Sequence, residues 1–309
     1  MLQNIREMKF SDKNFPKILK EIPSPPKLLR VWSKNGTLPG NLGSRDLSDS
    51  REPRFLSIVG TRRCSAYGEE ILRKLISGLA PYGFGTVSGM AIGIDTIAAK
   101  ASLENKIPTI AVLGSGLGRE AFYPPRNWRL AEEIVEQGGA IISEYENDFK
   151  ATLWTFPQRN RIISGLSPVT LVVEAPEKSG ALITARFALE QNRDVLAVPG
   201  SVFGSNSAGT NKLIKEGAGL VTNVDDILKA YGMQLSGSGA EAMGGDRAAA
   251  ENLSPEENKI LEIMTEPMDV DSIIRTSKMP SHEAQSIIGL LEIRGIIKKI
   301  GSDYAKIQN

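Results

Sequence analysis

The chain has 309 residues, 41% of them apolar and 24% charged, with a net charge of +1 at neutral pH. These values fit a soluble globular protein of roughly two domains at ~150 residues each, and they exclude attraction of nucleic acid by net charge alone, so any basic surface must be local. A single cysteine, Cys64, excludes an internal disulfide, and the one histidine, His282, lies far from the middle of the chain, which excludes histidine triads and histidine metal sites there.

The N-terminus, "MLQNIREMKF", lacks the apolar core of a signal peptide, and no run reaches the ~18 apolar residues of a membrane helix. A cytoplasmic protein with no membrane partner is expected. Residues 1–54 read as a short basic strap, with eight Lys/Arg against three acids up to Asn35. Within it, "EIPSPPKLLRVW" is expected to be an extended, solvated lead-in that touches the next domain through Leu28, Leu29, Val31 and Trp32.

From residue 55 to 231 the pattern alternates. Short apolar runs ("FLSIVG", "FGTVSG", "PTIAVLG", "GAIISEY", "VTLVVEA", "DVLAVPG", "AGLVTN") are followed by helical periodicity, as in "YGEEILRKLISGLA" and "ALITARFALEQN". Continuous apolar strands are buried on both faces, so this region is an α/β domain with a doubly wound, mostly parallel sheet of the extended Rossmann-like kind. Residues 232–252 are rich in Gly, Ser and Ala and read as a flexible linker. Residues 253–309 read as a small C-terminal winged helix-turn-helix domain, opened by Ser254 as N-cap, Pro255 at the first helical position and Glu257 at the third.

Ligands of open α/β sheets bind at the carboxyl ends of the strands. The strand exits here carry Gly and Ser throughout, which lets a ligand approach the backbone, and several lead into helix N-termini that favour anions. Ser88, Gly89, Gly114, Ser179, Gly180, Thr184 and Asn211 are candidate anion contacts on this ground. Arg62, Arg63, Arg126, Arg129, Arg159, Arg161, Lys178 and Lys212 lie in or just beyond the same exits, so a net-neutral chain places a basic cluster on one edge of its sheet. Cys64 reads as a packing residue and Asp95 as a local hydrogen-bonding group. Glu174 fits a structural or a ligand-facing role equally. Phe156, beside two arginines in a long loop with a helix starting at "NRIISG", suits either the core or base stacking.

The stretches "IVGTRRCSAYG", "VSGMAIGID", "YPPRNWRLAEEI", "FPQRNRIISGLS", "LVVEAPEKSGALITARFALEQNRDVLAVPG" and "GTNKLIKEGA" resemble the DprA/Smf family of DNA-processing proteins. The resemblance implies a Rossmann-like domain that binds single-stranded DNA without sequence preference, forms a homodimer and loads the recombinase RecA in DNA uptake and recombination. It implies no cofactor and no catalytic residues. Carried over, Gly60, Thr61 and Arg62 become phosphate contacts, joined by Arg159, Asn160, Arg161 and Lys212. Ile92 stands where the family usually has an arginine, and Ala99 where it usually has a histidine. Two other functions compete: a phosphoribohydrolase-like nucleotide enzyme, whose paired-glycine loop is absent from "EAPEKSGALIT", and a winged-helix transcription regulator. The tail argues against the second, since its seven Lys/Arg face nine Asp/Glu, a balance of −2.

Overall fold

The computed structural model describes residues 5–40, 54–233, 254–264, 267–293, 296–300 and 303–306. The chain divides into two compact units, Met1–Gln234 and Leu235–Asn309. Most of the expected linker, 232–252, lies outside the described residues. Among the described residues no helix is long and apolar enough to cross a membrane.

The larger unit is built on a nine-stranded sheet. Its strands are β1 (Ile5–Lys9), β2 (Leu28–Ser33), β3 (Arg54–Val59), β4 (Phe84–Ser88), β5 (Thr109–Leu113), β6 (Ala140–Ser143), β7 (Val169–Val172), β8 (Asp194–Ala197) and β9 (Gly219–Leu220), in the order β1-β2-β6-β5-β4-β3-β7-β8-β9. From β6 to β9 all neighbours are parallel. The helices are α1 (Lys17–Lys20), α2 (Ala66–Leu79), α3 (Ile94–Glu104), α4 (Trp128–Glu136), α5 (Thr155–Gly165), α6 (Gly180–Glu190), α7 (Ala208–Lys215) and α8 (Val224–Ala230).

Alternate residues of the same strand enter different cores, as the two-residue period of a strand requires. Ile110 and Val112 of β5 pack with Leu19, Ile162 and Ala185, from α1, α5 and α6. Ala111 and Leu113 pack with Ala99, Leu130 and Ile134, from α3 and α4 on the opposite face. This is the doubly wound α/β arrangement expected from the continuous apolar runs.

The N-terminal region departs from the expected solvated strap. β1 and β2 form an antiparallel hairpin, and β2 pairs antiparallel with β6, so the segment extends the sheet. Five of the six residues of β2 are buried. Arg30 is tolerated there because Glu7 and Glu146 both pair with it, at 3.1 Å for Glu7.

β3 lies between β4 and β7. The chain winds outward from β3 through β4, β5 and β6, then returns to β7 and winds the other way. The gap between the exits of β3 and β7 is therefore the topological switch point, where a doubly wound sheet ordinarily holds its ligand.

The smaller unit carries α9 (Pro255–Ile263), β10 (Met268–Asp269), α10 (Val270–Ser277), α11 (Ser281–Ile293), β11 (Ile297–Ile300) and β12 (Asp303–Lys306), with a three-stranded sheet ordered β10-β12-β11. It is a winged helix. Ser254 and Glu257 close the capping box over α9, the Ser254 N–H donating to the Glu257 carboxylate at 2.7 Å and the Glu257 N–H to the serine hydroxyl oxygen at 3.2 Å.

Candidate nucleic-acid interface

The loop after β3, Gly60 to Ser65, is held by its own chain. Half-buried Gly60 ends the strand. The Thr61 N–H donates to the Glu174 carbonyl at 2.7 Å, and its carbonyl accepts the Ile94 N–H at 3.2 Å. Its hydroxyl oxygen accepts the Arg63 N–H at 3.2 Å. Ser65 caps α2 by accepting the Gly68 N–H at 3.1 Å. The Glu174 carboxylate, 3% exposed, then takes the Ser65 N–H at 2.9 Å and the Ser65 hydroxyl at 2.5 Å.

That last pair places a carboxylate against the N-cap residue of α2, at the switch point. The start of α2 is where a nucleotide-binding βα unit would seat a phosphate, because free N–H groups and the helix dipole favour an anion there. Here the anion is Glu174, which makes this residue structural. Burial, and next the Glu174 charge, push the neighbouring Cys64 thiol up to about 12, consistent with a packing role for that cysteine.

The open site lies to one side, over the exits of β3, β4 and β5. Arg62 and Arg63 crest the loop, exposed and without a carboxylate partner among the described residues. The Arg62 guanidinium sits over the Phe156 ring, 5.4 Å from its centroid, and that ring leans on Tyr123 at 5.4 Å. Together with Gly89, Ile92, Gly114 and Arg159 they line an open cleft of about 350 Å³. A Cβ at Gly114 would stand 3.1 Å from the Phe156 ring, so the glycine lets the ring lie close to the strand end.

Phe156 does not sit in a loop before a helix beginning at Asn160. α5 starts at Thr155, which puts Phe156 on its first turn. Pro157 misled the boundary. In a first turn its missing N–H costs nothing, because those N–H groups have no intrahelical partner.

Arg159 is not presented as a surface phosphate contact. It is 5% exposed and donates to the carbonyls of Gly89 and Val112, while its Nε donates to the Asn160 side chain at 3.2 Å. Burial lowers its pKa to about 10, against the opposing pull of Asp95, so the guanidinium stays charged at neutral pH. Burial likewise raises the pKa of Asp95, with the Arg159 charge acting against it. The two side chains flank Gly89, where an added Cβ would lie 2.6 Å from an atom of each. Glycine is required at that position by close approach. Asp95, which also accepts the Ala91 N–H at 3.3 Å, thus acts locally as expected, and Arg159 is the buried floor of the cleft.

The other two residues of the "RNR" stretch are similarly committed. Arg161 makes a two-pronged pair with Glu144, at 3.0 and 2.6 Å. Asn160 donates to the Gly180 carbonyl at 3.3 Å. Sequence alone shows three polar residues near a strand exit, but not the carboxylate and carbonyls that occupy them.

The remaining candidates do not converge on this cleft. The Ser88 hydroxyl donates to the Ile58 carbonyl at 2.7 Å. Ser179 caps α6, accepting the Ala181 N–H at 3.2 Å, next to exposed Gly180. Thr184 is buried. Asn211 clamps Gly200 through both its N–H and its carbonyl, at 3.2 and 3.0 Å. Lys212 is exposed, 3.8 Å from Glu216 one turn away. Conversely, Tyr123 and Ala91 line the cleft without having been expected there, and Ile92, which stands where the family usually has an arginine, lines it too. Met90 beside them has a positive φ of 60°, unusual for a side chain of its size, and its carbonyl accepts the Asn127 amide at 2.8 Å. The aromatic in "FYPPRN" among arginines was the available signal for Tyr123.

Residues 6–232 match the family model described as DNA recombination-mediator protein A, and residues 245–300 match the DprA winged helix domain. The chain is 38% identical to Protein Smf of Escherichia coli over 255 residues, 82% of this chain and 68% of that protein. The X-ray structure of DNA processing protein A from Streptococcus pneumoniae superposes with a TM-score of 0.62 at 39% identity, covering 74% of each chain. A structure of Helicobacter pylori DNA processing protein A, described for its single-stranded DNA binding mode, gives a TM-score of 0.59 at 31% identity, over 73% of this chain and 94% of that one.

Proposed function

The chain belongs to the DprA/Smf family of DNA-processing proteins, and from that premise we propose that it binds single-stranded DNA without sequence preference in the Arg62–Phe156 cleft and passes the strand to the recombinase RecA. The observation that carries this reading is the exposed Arg62, without a carboxylate partner among the described residues, held over the face of a half-buried aromatic ring at the open edge of the sheet. A planar guanidinium suits a phosphate bidentately, and a ring face accepts any base. Both features ignore sequence.

The Glu174 plug supports the same reading. With a carboxylate bonded to the N-cap residue of α2, a phosphate there meets like charge and is left to a side chain that projects outward, which suits a continuous strand better than a terminal phosphate on a small nucleotide. Arg186 and Glu190, which could imitate a phosphoribohydrolase pair, bond to each other at 2.9 Å on an exposed helix face. The recombinase, the homodimer and the cytoplasmic setting are drawn from the family relationship.

Fluorescence anisotropy on labelled oligo-dT tests the binding step. Arg62→Ala should weaken affinity by on the order of 1–3 kcal/mol, the range for a lost charge-assisted hydrogen bond, and binding should fall steeply with salt through counterion release. Unchanged affinity would refute the assignment. RecA filament assembly on oligo-dT, with and without this protein, tests the second step, and no acceleration would refute it.

A further inference from the structure

The turn after β8 carries two of the three most exposed large apolar side chains among the described residues, Val202 at 84% and Phe203 at 97%, the other being Leu153 at 90%. Such a pair is unfavourable in water and marks a contact surface. It is also presented by a rigid turn. The Phe203 N–H donates to the Ser201 hydroxyl oxygen at 3.2 Å, and the Gly204 N–H to the Ser201 carbonyl at 2.9 Å. Asn206 latches the turn on two sides: its side-chain amide donates to the Arg63 carbonyl at 2.8 Å, and its own carbonyl accepts the Ala175 N–H at 2.8 Å. The Tyr67 hydroxyl holds the start of the turn through the Pro199 carbonyl, also at 2.8 Å.

These bonds tie the Phe203 turn to the loop that carries Arg62 and Arg63. β8 lies two strands from β3. At ~4.8 Å per strand, the two exits are about 10 Å apart along the same edge. Arg63 belongs to the loop that leaves β3, exposed and without a carboxylate partner among the described residues, and exposed Lys178, next to exposed Glu177, follows the exit of β7, the strand between.

We propose that Phe203 is a second base-stacking station for single-stranded nucleic acid, reached from the Arg62–Phe156 cleft along a path whose phosphates are met by Arg63. This rests on the single-strand binding proposed above and names a site beyond it. Charge decides against the other exposed aromatic group as the continuation. Trp154 packs on Tyr145 and Phe149, where Glu146 is already held by Arg30 and Asp148 is offset by Lys150, so that group lacks the excess of exposed cation that Arg62 and Arg63 give the other edge.

The test uses the full chain and an oligo-dT ladder of about 4 to 16 nucleotides, the range of site sizes known for single-strand-binding OB folds. Phe203→Ala should leave the shortest oligonucleotides unaffected and weaken the longer ones by about fivefold or more. Phe203→Trp should retain affinity, and the added indole fluorescence should be quenched by the longer oligonucleotides only. Arg62→Ala, run in parallel, should weaken binding at every length. If Phe203→Ala is neutral at all lengths while Arg62→Ala weakens them, this inference alone falls. If both are neutral, the underlying binding reading falls with it. If Phe203→Ala changes the sedimentation of the protein and not its affinity for DNA, the turn is an interface between copies of the chain and the proposal is overturned.

Discussion

Arg159→Ala separates a buried scaffold arginine from a DNA contact, because the two roles predict opposite observables. The substitution removes donors to the Gly89 and Val112 carbonyls and to the Asn160 side chain, and it takes from buried Asp95 the larger of the two cationic charges that act on it, leaving that of Arg62. Breaking one side of a buried charge pair costs about 3–5 kcal/mol, mostly from the charge left behind. For a domain of this size each kcal/mol moves the melting midpoint by about 2–4 °C, so a loss of roughly 6–20 °C is expected. Thermal and urea melts measure it, with anisotropy on the folded fraction alongside. Asp95→Asn in the same background should recover part of the loss, because the two changes share one cause and cannot add. A variant that melts with the parent but loses DNA affinity would refute the reasoning and make Arg159 a direct phosphate ligand.

Glu174→Gln should destabilise the loop after β3 by on the order of 2 kcal/mol, since the Ser65 N–H and hydroxyl lose a charged acceptor; a melt unchanged from the parent would count against the plug. In the parent, the Cys64 thiol, pushed up to about 12 chiefly by burial, stays protonated at neutral pH, so it should react with a thiol reagent far more slowly than a free cysteine until the protein is unfolded. Phe156→Ala should lower oligo-dT affinity by roughly 1–3 kcal/mol with a modest melting shift, as the ring is only half-buried; a large melting loss with affinity retained by the folded fraction would make it a core residue. A chain ending after Met233 should fold and keep most of its affinity, given the −2 balance of the tail, and a loss of more than tenfold would make the winged helix a primary DNA site.

The seven parallel strands were legible because burial on both faces leaves no polar alternation to mislead. β1, "IREMK", and β2, "LLRVWS", were not, because each carries a charge that a sheet normally rejects. Arg30 is acceptable through its pairs with Glu7 and Glu146, and Glu146 lies more than a hundred residues away. The same limit applies to the site. Arg62 was legible because its own loop carries no acid, and the structure leaves it exposed. Arg159 and Arg161 carry the same local signal, yet one is consumed by backbone carbonyls and Asp95, the other by Glu144. Glu174 was undecidable from its strand end alone, since its partner Ser65 belongs to a loop over a hundred residues earlier.

The central claim is that the strand enters between Arg62 and the ring of Phe156 and not at the start of α2. A crystal structure of the protein with a short oligo-dT measures this directly. The account predicts a phosphate within hydrogen-bonding distance of the Arg62 guanidinium and a base against the Phe156 ring, with Glu174 still bonded to Ser65. A phosphate seated on the N–H groups at the start of α2, with Glu174 displaced, would contradict it.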